Sequence, residues 1–286
     1  MSKAELKQLF SIEIAGKEKY PFLQIFGLTA RDLFQALELV RMDCQMDHTT
    51  NYSIYTVGLL AKPSSKMLLD ISADPEKLGI WYKSAKIFYG NEEDEIYIKP
   101  EGCYFDGANL QESMSKVKRG YCKYPYENNN VVLINANKNE MLSLFENFIE
   151  NIEEDTIKIV FNVDHEGVSL VPGFYSALTD KDTLKEYLAE HHLFLFNDGF
   201  ISFGIVDQQN KRQLLINEHK YLEYTESQDD GYLKVLSDDH LLKEIEQKDF
   251  KTIIDFNHIH MILPAKIDDY EAFYTKISDT FELVAE

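Results

Sequence analysis

The chain has 286 residues and sets 49 Asp and Glu against 29 Lys and Arg, a formal net charge of -20. That charge repels free nucleic acid and anionic lipid, so direct binding to either is not expected. Hydrophobic residues at 44% and aromatics at 13% exclude a disordered acidic chain and require a buried core.

Residues 9–27 predict one or two short strands broken near Gly16. A helix follows, with Thr29 as N-cap, Asp32 three residues on, and an apolar stripe of Ala30, Leu33, Leu37 and Val40. From Tyr52 to Tyr104 the period changes to two, giving strands in NYSIYTVGLLA, KMLLDIS, SAKIFYG and EIYIKPEG. Residues 106–128 lack a pattern and read as a long irregular crossing. VVLIN at 131–135 is a buried strand, leading into a helix over 139–152 with Met141, Leu144, Phe145, Phe148 and Ile152 inward.

IKIVFNV at 157–163 opens the second half as a strand. A helix over 180–190 follows, with Leu184, Tyr187 and Leu188 inward. Strands are then expected in LFLF, GFISFGIVD and QLLINEHKYLEYT. Asn197-Asp198-Gly199 is the strongest hairpin signal in the chain. A short helix at 238–247, a strand at 258–264 and a last helix over 268–281 complete the reading.

Strands and helices in these runs give an α+β fold of largely antiparallel sheets with helices packed on one face. VVLINANKNEMLSLFENF resembles HMILPAKIDDYEAFYTKI in plan, and GLTARDLFQALELV resembles SALTDKDTLKEYLA, with Leu28-Thr29 against Leu178-Thr179 and Asp32 against Asp182. These echoes suggest two similar halves from a diverged duplication. They place an N-terminal domain at 1–155 and a C-terminal domain at 156–286.

The N-terminus lacks an apolar run with a cleavage site, and no segment approaches the length of a membrane span. Cys44, Cys103 and Cys122 are scattered and odd in number, which fits a reducing cytoplasm rather than a disulfide scaffold. No close Cys pair marks a zinc site, and no phosphate-cradling Gly motif occurs. No catalytic set, cofactor or metal is therefore expected. The ligand candidates are His258 and His260, two apart on a strand and so on one face. The His191-His192 pair reads as a helix C-terminus. Ser64, Ser65 and Ser202 lack the setting of an esterase elbow. Cys122 has four basic neighbours that would lower its thiol pKa if it were exposed.

One basic island interrupts the acidity: Lys118, Arg119, Tyr121, Tyr124 and Tyr126 are interface candidates, rich in residues that carry binding energy. The charge excess without a catalytic motif points to an acidic protein-binding inhibitor or immunity-like protein. Such a protein occludes a basic protein partner, by nucleic-acid mimicry in one form. The alternatives are a low-motif hydrolase whose carboxylates converge in space and a structural homo-oligomer.

Overall fold

Alternating buried residues Phe10, Ile12 and Ile14 make residues 8–17 a strand with one face in the core. This strand, β1 (Gln8–Lys17), pairs antiparallel with β2 (Pro21–Ala30) over their whole lengths. The strand runs through Gly16, and the break falls instead at the exposed residues 18–20. The computed structural model describes residues 7–64, 67, 71–89, 91–92, 95–107, 117–126, 129–164, 173–226, 231–261 and 267–285.

Helix α1 (Leu33–Met46) starts one turn later than the sequence suggests. Asp32, not Thr29, is its N-cap and accepts the Gln35 N–H at 2.8 Å. Thr29 lies in β2, where its Oγ1 donates to the Pro75 carbonyl and accepts from Trp81 Nε1. The buried stripe is Ala36, Leu37, Val40 and Cys44, with Leu33 only half-buried at its edge. Strand β3 (Tyr52–Leu60) then returns antiparallel to β1. β4 (Gly79–Lys83) and β5 (Ile87–Phe88) both pair with β2. KMLLDIS falls largely outside the described residues. EIYIKPEG forms no strand between 95 and 102. β6 (Cys103–Asp106) runs parallel to β3. With β14 (His258–His260) the first sheet reads β14-β6-β3-β1-β2-β4.

The stretch expected to be irregular contains a strand, β7 (Gly120–Tyr126), paired along its length with β8 (Asn129–Asn135). Helix α2 (Met141–Glu150) presents Met141, Leu144, Phe145 and Phe148 inward, as its period requires. β9 (Thr156–Val163) and β10 (Gly173–Asp180) form a hairpin, followed by α3 (Lys181–Asn197). Asp180 caps α3 by accepting the Thr183 N–H. LFLF is the last turn of this helix and not a strand. Leu195 and Phe196 continue the buried face begun by Leu184, Tyr187 and Leu188 at helical spacing, so burial decides against extension there.

β11 (Ile201–Asp207) returns antiparallel to β9, and the predicted QLLINEHKYLEYT strand divides into β12 (Arg212–Ile216) and β13 (Leu222–Glu226). Helix α4 (Tyr232–Asp238) ends where the sequence expected a helix to begin, because the apolar anchors are Tyr232 and Leu236. Helix α5 (Ile267–Thr280) and β15 (Val284–Ala285) finish the chain. The second sheet reads β15-β10-β9-β11-β12-β13-β8-β7. Ile157, Ile159, Phe161 and Val163 of β9, Ile201, Phe203 and Ile205 of β11, and Leu214 and Ile216 of β12 alternate into one core with the inner faces of α2 to α5.

The protein is thus α+β, with two mostly antiparallel sheets and five helices among the described residues. The chain gathers into two compact units. One comprises Met1–Ile98, Tyr104–Ser115 and Phe256–Ile259, and the other Lys99–Cys103, Lys116–Asp255 and His260–Glu286. This division differs from a cut at 155/156: β8 pairs with β13, which draws β7, β8 and α2 into the second unit. Each unit contains the same run, a hairpin, a capped helix, and a strand returning to the hairpin's first strand. The caps align Asp32 with Asp180, two residues from the match made on sequence. Among the described residues no helix is long and apolar enough to cross a membrane.

Candidate functional site

The end of α3 gathers several polar groups of the second unit. Asn197-Asp198-Gly199 is a helix exit rather than a hairpin turn: Asp198 is the C-cap, and its Oδ1 accepts the Phe200 N–H at 2.9 Å. The main chain here meets two other segments. Gly199 N–H donates to the Met261 carbonyl at 2.9 Å, and Met261 N–H donates to the Gly102 carbonyl at 2.7 Å. Asn197 Oδ1 accepts the Glu101 N–H. This crossing sets the residue after Gly102 and the residue before Met261, Cys103 and His260, beside each other. Their ligand-capable atoms lie within 4.8 Å.

The turn between β12 and β13 adds Glu218, His219 and Lys220. Asn217 shapes it by accepting the His219 N–H on its side chain and the Lys220 N–H on its carbonyl. Glu218 Oε2 accepts from Ser202 Oγ of β11 at 2.9 Å, and the His219 ring meets the His260 ring edge-on with centroids 4.9 Å apart. Burial alone would raise the Glu218 carboxyl. Its own backbone N–H, the Ser202 hydroxyl and the neighbouring His219 and His260 rings outweigh that and hold it below its ordinary value. The cluster therefore offers an ionised carboxylate beside two imidazoles, groups able to accept and pass protons.

Lys220 is fully enclosed, and Nζ donates to the Ile201 carbonyl at 2.7 Å. Burial pushes its ammonium down to about 8, against the opposing pull of Asp198, Cys103 and Glu218. Below that pH both folded and unfolded chains carry the proton, so the fold bears the full cost of the buried charge. As pH rises toward the unfolded value of 10.5, the folded state sheds the proton first and the cost disappears. The stability advantage of Lys220→Met over wild type is therefore expected to shrink by on the order of 3 kcal/mol between pH 7 and pH 10.5. Urea unfolding of both proteins across that range checks it, and a pH-independent difference would contradict the buried charge.

His258 and His260 share β14. His258 Nδ1 pairs with the Phe256 carbonyl at 2.8 Å and His260 Nδ1 with the Gly199 carbonyl at 2.6 Å. The residues of the basic island lie on β7 and just before it. Lys118 is exposed, Tyr121 is buried and Tyr124 is half-buried. Tyr126 lies at the end of β7. Arg119 is held within its own unit by Glu140 and by the carbonyls of His240 and Leu241. Cys122 is buried, and burial pushes its thiol up despite the Tyr124 hydrogen bond. His191 and His192 lie within α3, not at its end. His191 packs against Tyr187 and Phe273, and burial lowers its pKa.

The sequence pointed to His260 but missed Cys103 and Glu218 as its neighbours, with Ser202 and Lys220 behind them. Nothing in local spacing joins residues that far apart. The one available signal was a glycine immediately before Cys103 and another at position 199. No family model matches the chain, and no curated protein or solved structure matches it.

Proposed function

We propose that this protein binds a basic protein partner and acts as an acidic inhibitor or immunity-like protein. The observation that carries the reading is where the positive charges go. Lys83 pairs with Asp43 and Asp47, Lys86 with Glu18, Arg119 with Glu140, Lys138 with Glu101, Lys185 with Glu150, and Arg212 with Asp207. Each such pair cancels one carboxylate inside the molecule. The excess of -20 is left to carboxylates such as Asp182, Glu186 and Glu190, exposed along α3, and Glu153 and Asp155 just before β9. A surface of one sign steers a partner of the other sign and raises the encounter rate more than the final affinity.

Immobilised protein is expected to capture a basic partner from native lysate at low salt and to release it at high salt. Reversing Asp182, Glu186 and Glu190 to lysine should slow association with that partner by roughly tenfold at low salt. Recovery of no basic partner at either salt, or an association rate unmoved by the reversal, would count against the proposal.

A further inference from the structure

We propose that Cys103 and His260 together hold one thiophilic d10 metal ion, Zn2+ or Cu+. The two donors are brought together by the crossing of Gly102, Gly199 and Met261, whose backbone hydrogen bonds are 2.7 and 2.9 Å long. This framework is made of main chain, so it places both residues without relying on flexible side chains. The Cys103 sulfur and a nitrogen of the His260 ring lie within 4.8 Å of each other. Bonds of about 2.3 Å to sulfur and about 2.0 Å to imidazole nitrogen span roughly 3.5–4.3 Å between donors, from tetrahedral to linear geometry. A small inward shift of one side chain closes the difference.

The imidazole is already oriented for the task. Only an N–H can pair with a carbonyl, so the 2.6 Å contact to the Gly199 oxygen puts the proton on Nδ1 and the lone pair on Nε2. Metal-ligating histidines characteristically donate their other nitrogen in this way. Soft thiolate with imidazole selects Zn2+ and Cu+ over hard cations, which prefer oxygen. On binding, the Cys103 S–H bond breaks, its proton leaves to solvent, and the electron pair forms the metal–sulfur bond. In the metal-free protein burial keeps this thiol protonated, while Lys99 and Lys220 favour the thiolate. The Glu218 carboxylate nearby offsets the charge of the arriving cation.

The test is Co2+ titration of the full-length chain under reducing conditions, with Co2+ as the spectroscopic probe for Zn2+. Wild type should show a thiolate-to-cobalt charge-transfer band saturating at one ion per chain and bleached by Zn2+. The C44S/C122S double variant, in which Cys103 is the sole thiol, should keep the band. His260→Gln should weaken binding by roughly tenfold or more, and Cys103→Ser should abolish the band. Absence of the band in wild type or in C44S/C122S, or its persistence in folded Cys103→Ser, would overturn the assignment. The double variant keeps the test decisive even if Cys103→Ser fails to fold.

Discussion

Alanine at Gly102 or at Gly199 is expected to destabilise the protein by roughly 4–5 kcal/mol, near the upper end for single substitutions. Gly102 has φ +86, a left-handed conformation that side chains rarely adopt. A Cβ there would sit 2.6 Å from the Gly199 nitrogen and closer still to the Asn197 carbonyl oxygen. A Cβ at Gly199 would sit 2.8 Å from the Met261 carbonyl oxygen and closer to that of Gly102. These neighbours are backbone, so they cannot rotate aside, and the overlap must be relieved by separating segments that carry two hydrogen bonds. Urea unfolding monitored by circular dichroism measures the loss. Gly231→Ala is the contrast: its φ is +84, but a Cβ there meets nothing within 4 Å. It should therefore show the conformational cost alone, about 1 kcal/mol. Equal losses at the three sites would mean that the crossing adds nothing beyond backbone strain.

Arg119→Met is expected to cost roughly 3 kcal/mol, and the loss should be partly recovered in the R119M/E140M double variant. The Arg119 side chain is 8% exposed, against 22% for Glu140. Its guanidinium donates to Glu140 from Nε and Nη2 at 2.6–3.1 Å, and to the carbonyls of His240 and Leu241. Removing the arginine alone leaves a half-buried carboxylate whose remaining partner is the Asn137 N–H, together with two carbonyls to resatisfy. Removing both charges spares the orphaned anion, which is why the double variant should lose less. A double-mutant cycle by chemical denaturation decides the matter. If the double variant loses as much as the sum of the singles, the two side chains are not coupled. This fork joins the start of β7 to the start of α2 and to residues 240–241, so the arginine of the basic island has a structural use whatever partner the protein meets.

Local physics was legible in the chain. The inward faces of α2 and α3 follow from spacing alone, because Met141, Leu144, Phe145 and Phe148, or Leu184, Tyr187 and Leu188, allow one amphipathic solution. The strands β1, β9 and β11 follow from alternation for the same reason, and β8 from its apolar run VVLI. Where two local readings compete, the sequence is silent about the winner. LFLF suits a strand by composition, and it became helix because Leu195 and Phe196 complete a buried face already laid down. The Asn-Asp-Gly signal then served a helix exit, where glycine permits close approach of backbone.

The charge of -20, the apolar content and the α+β alternation were fixed by the amino acids themselves, since each depends on residues summed or read a few positions apart. Only the tertiary structure decided that Cys103 lies beside His260, that Glu218 takes its hydrogen bond from Ser202, and that Lys220 is enclosed. Those relations join residues through chain crossings that no periodicity encodes. They hold because close-packed backbone, here Gly102 against Gly199, leaves one arrangement that satisfies the buried hydrogen-bonding groups.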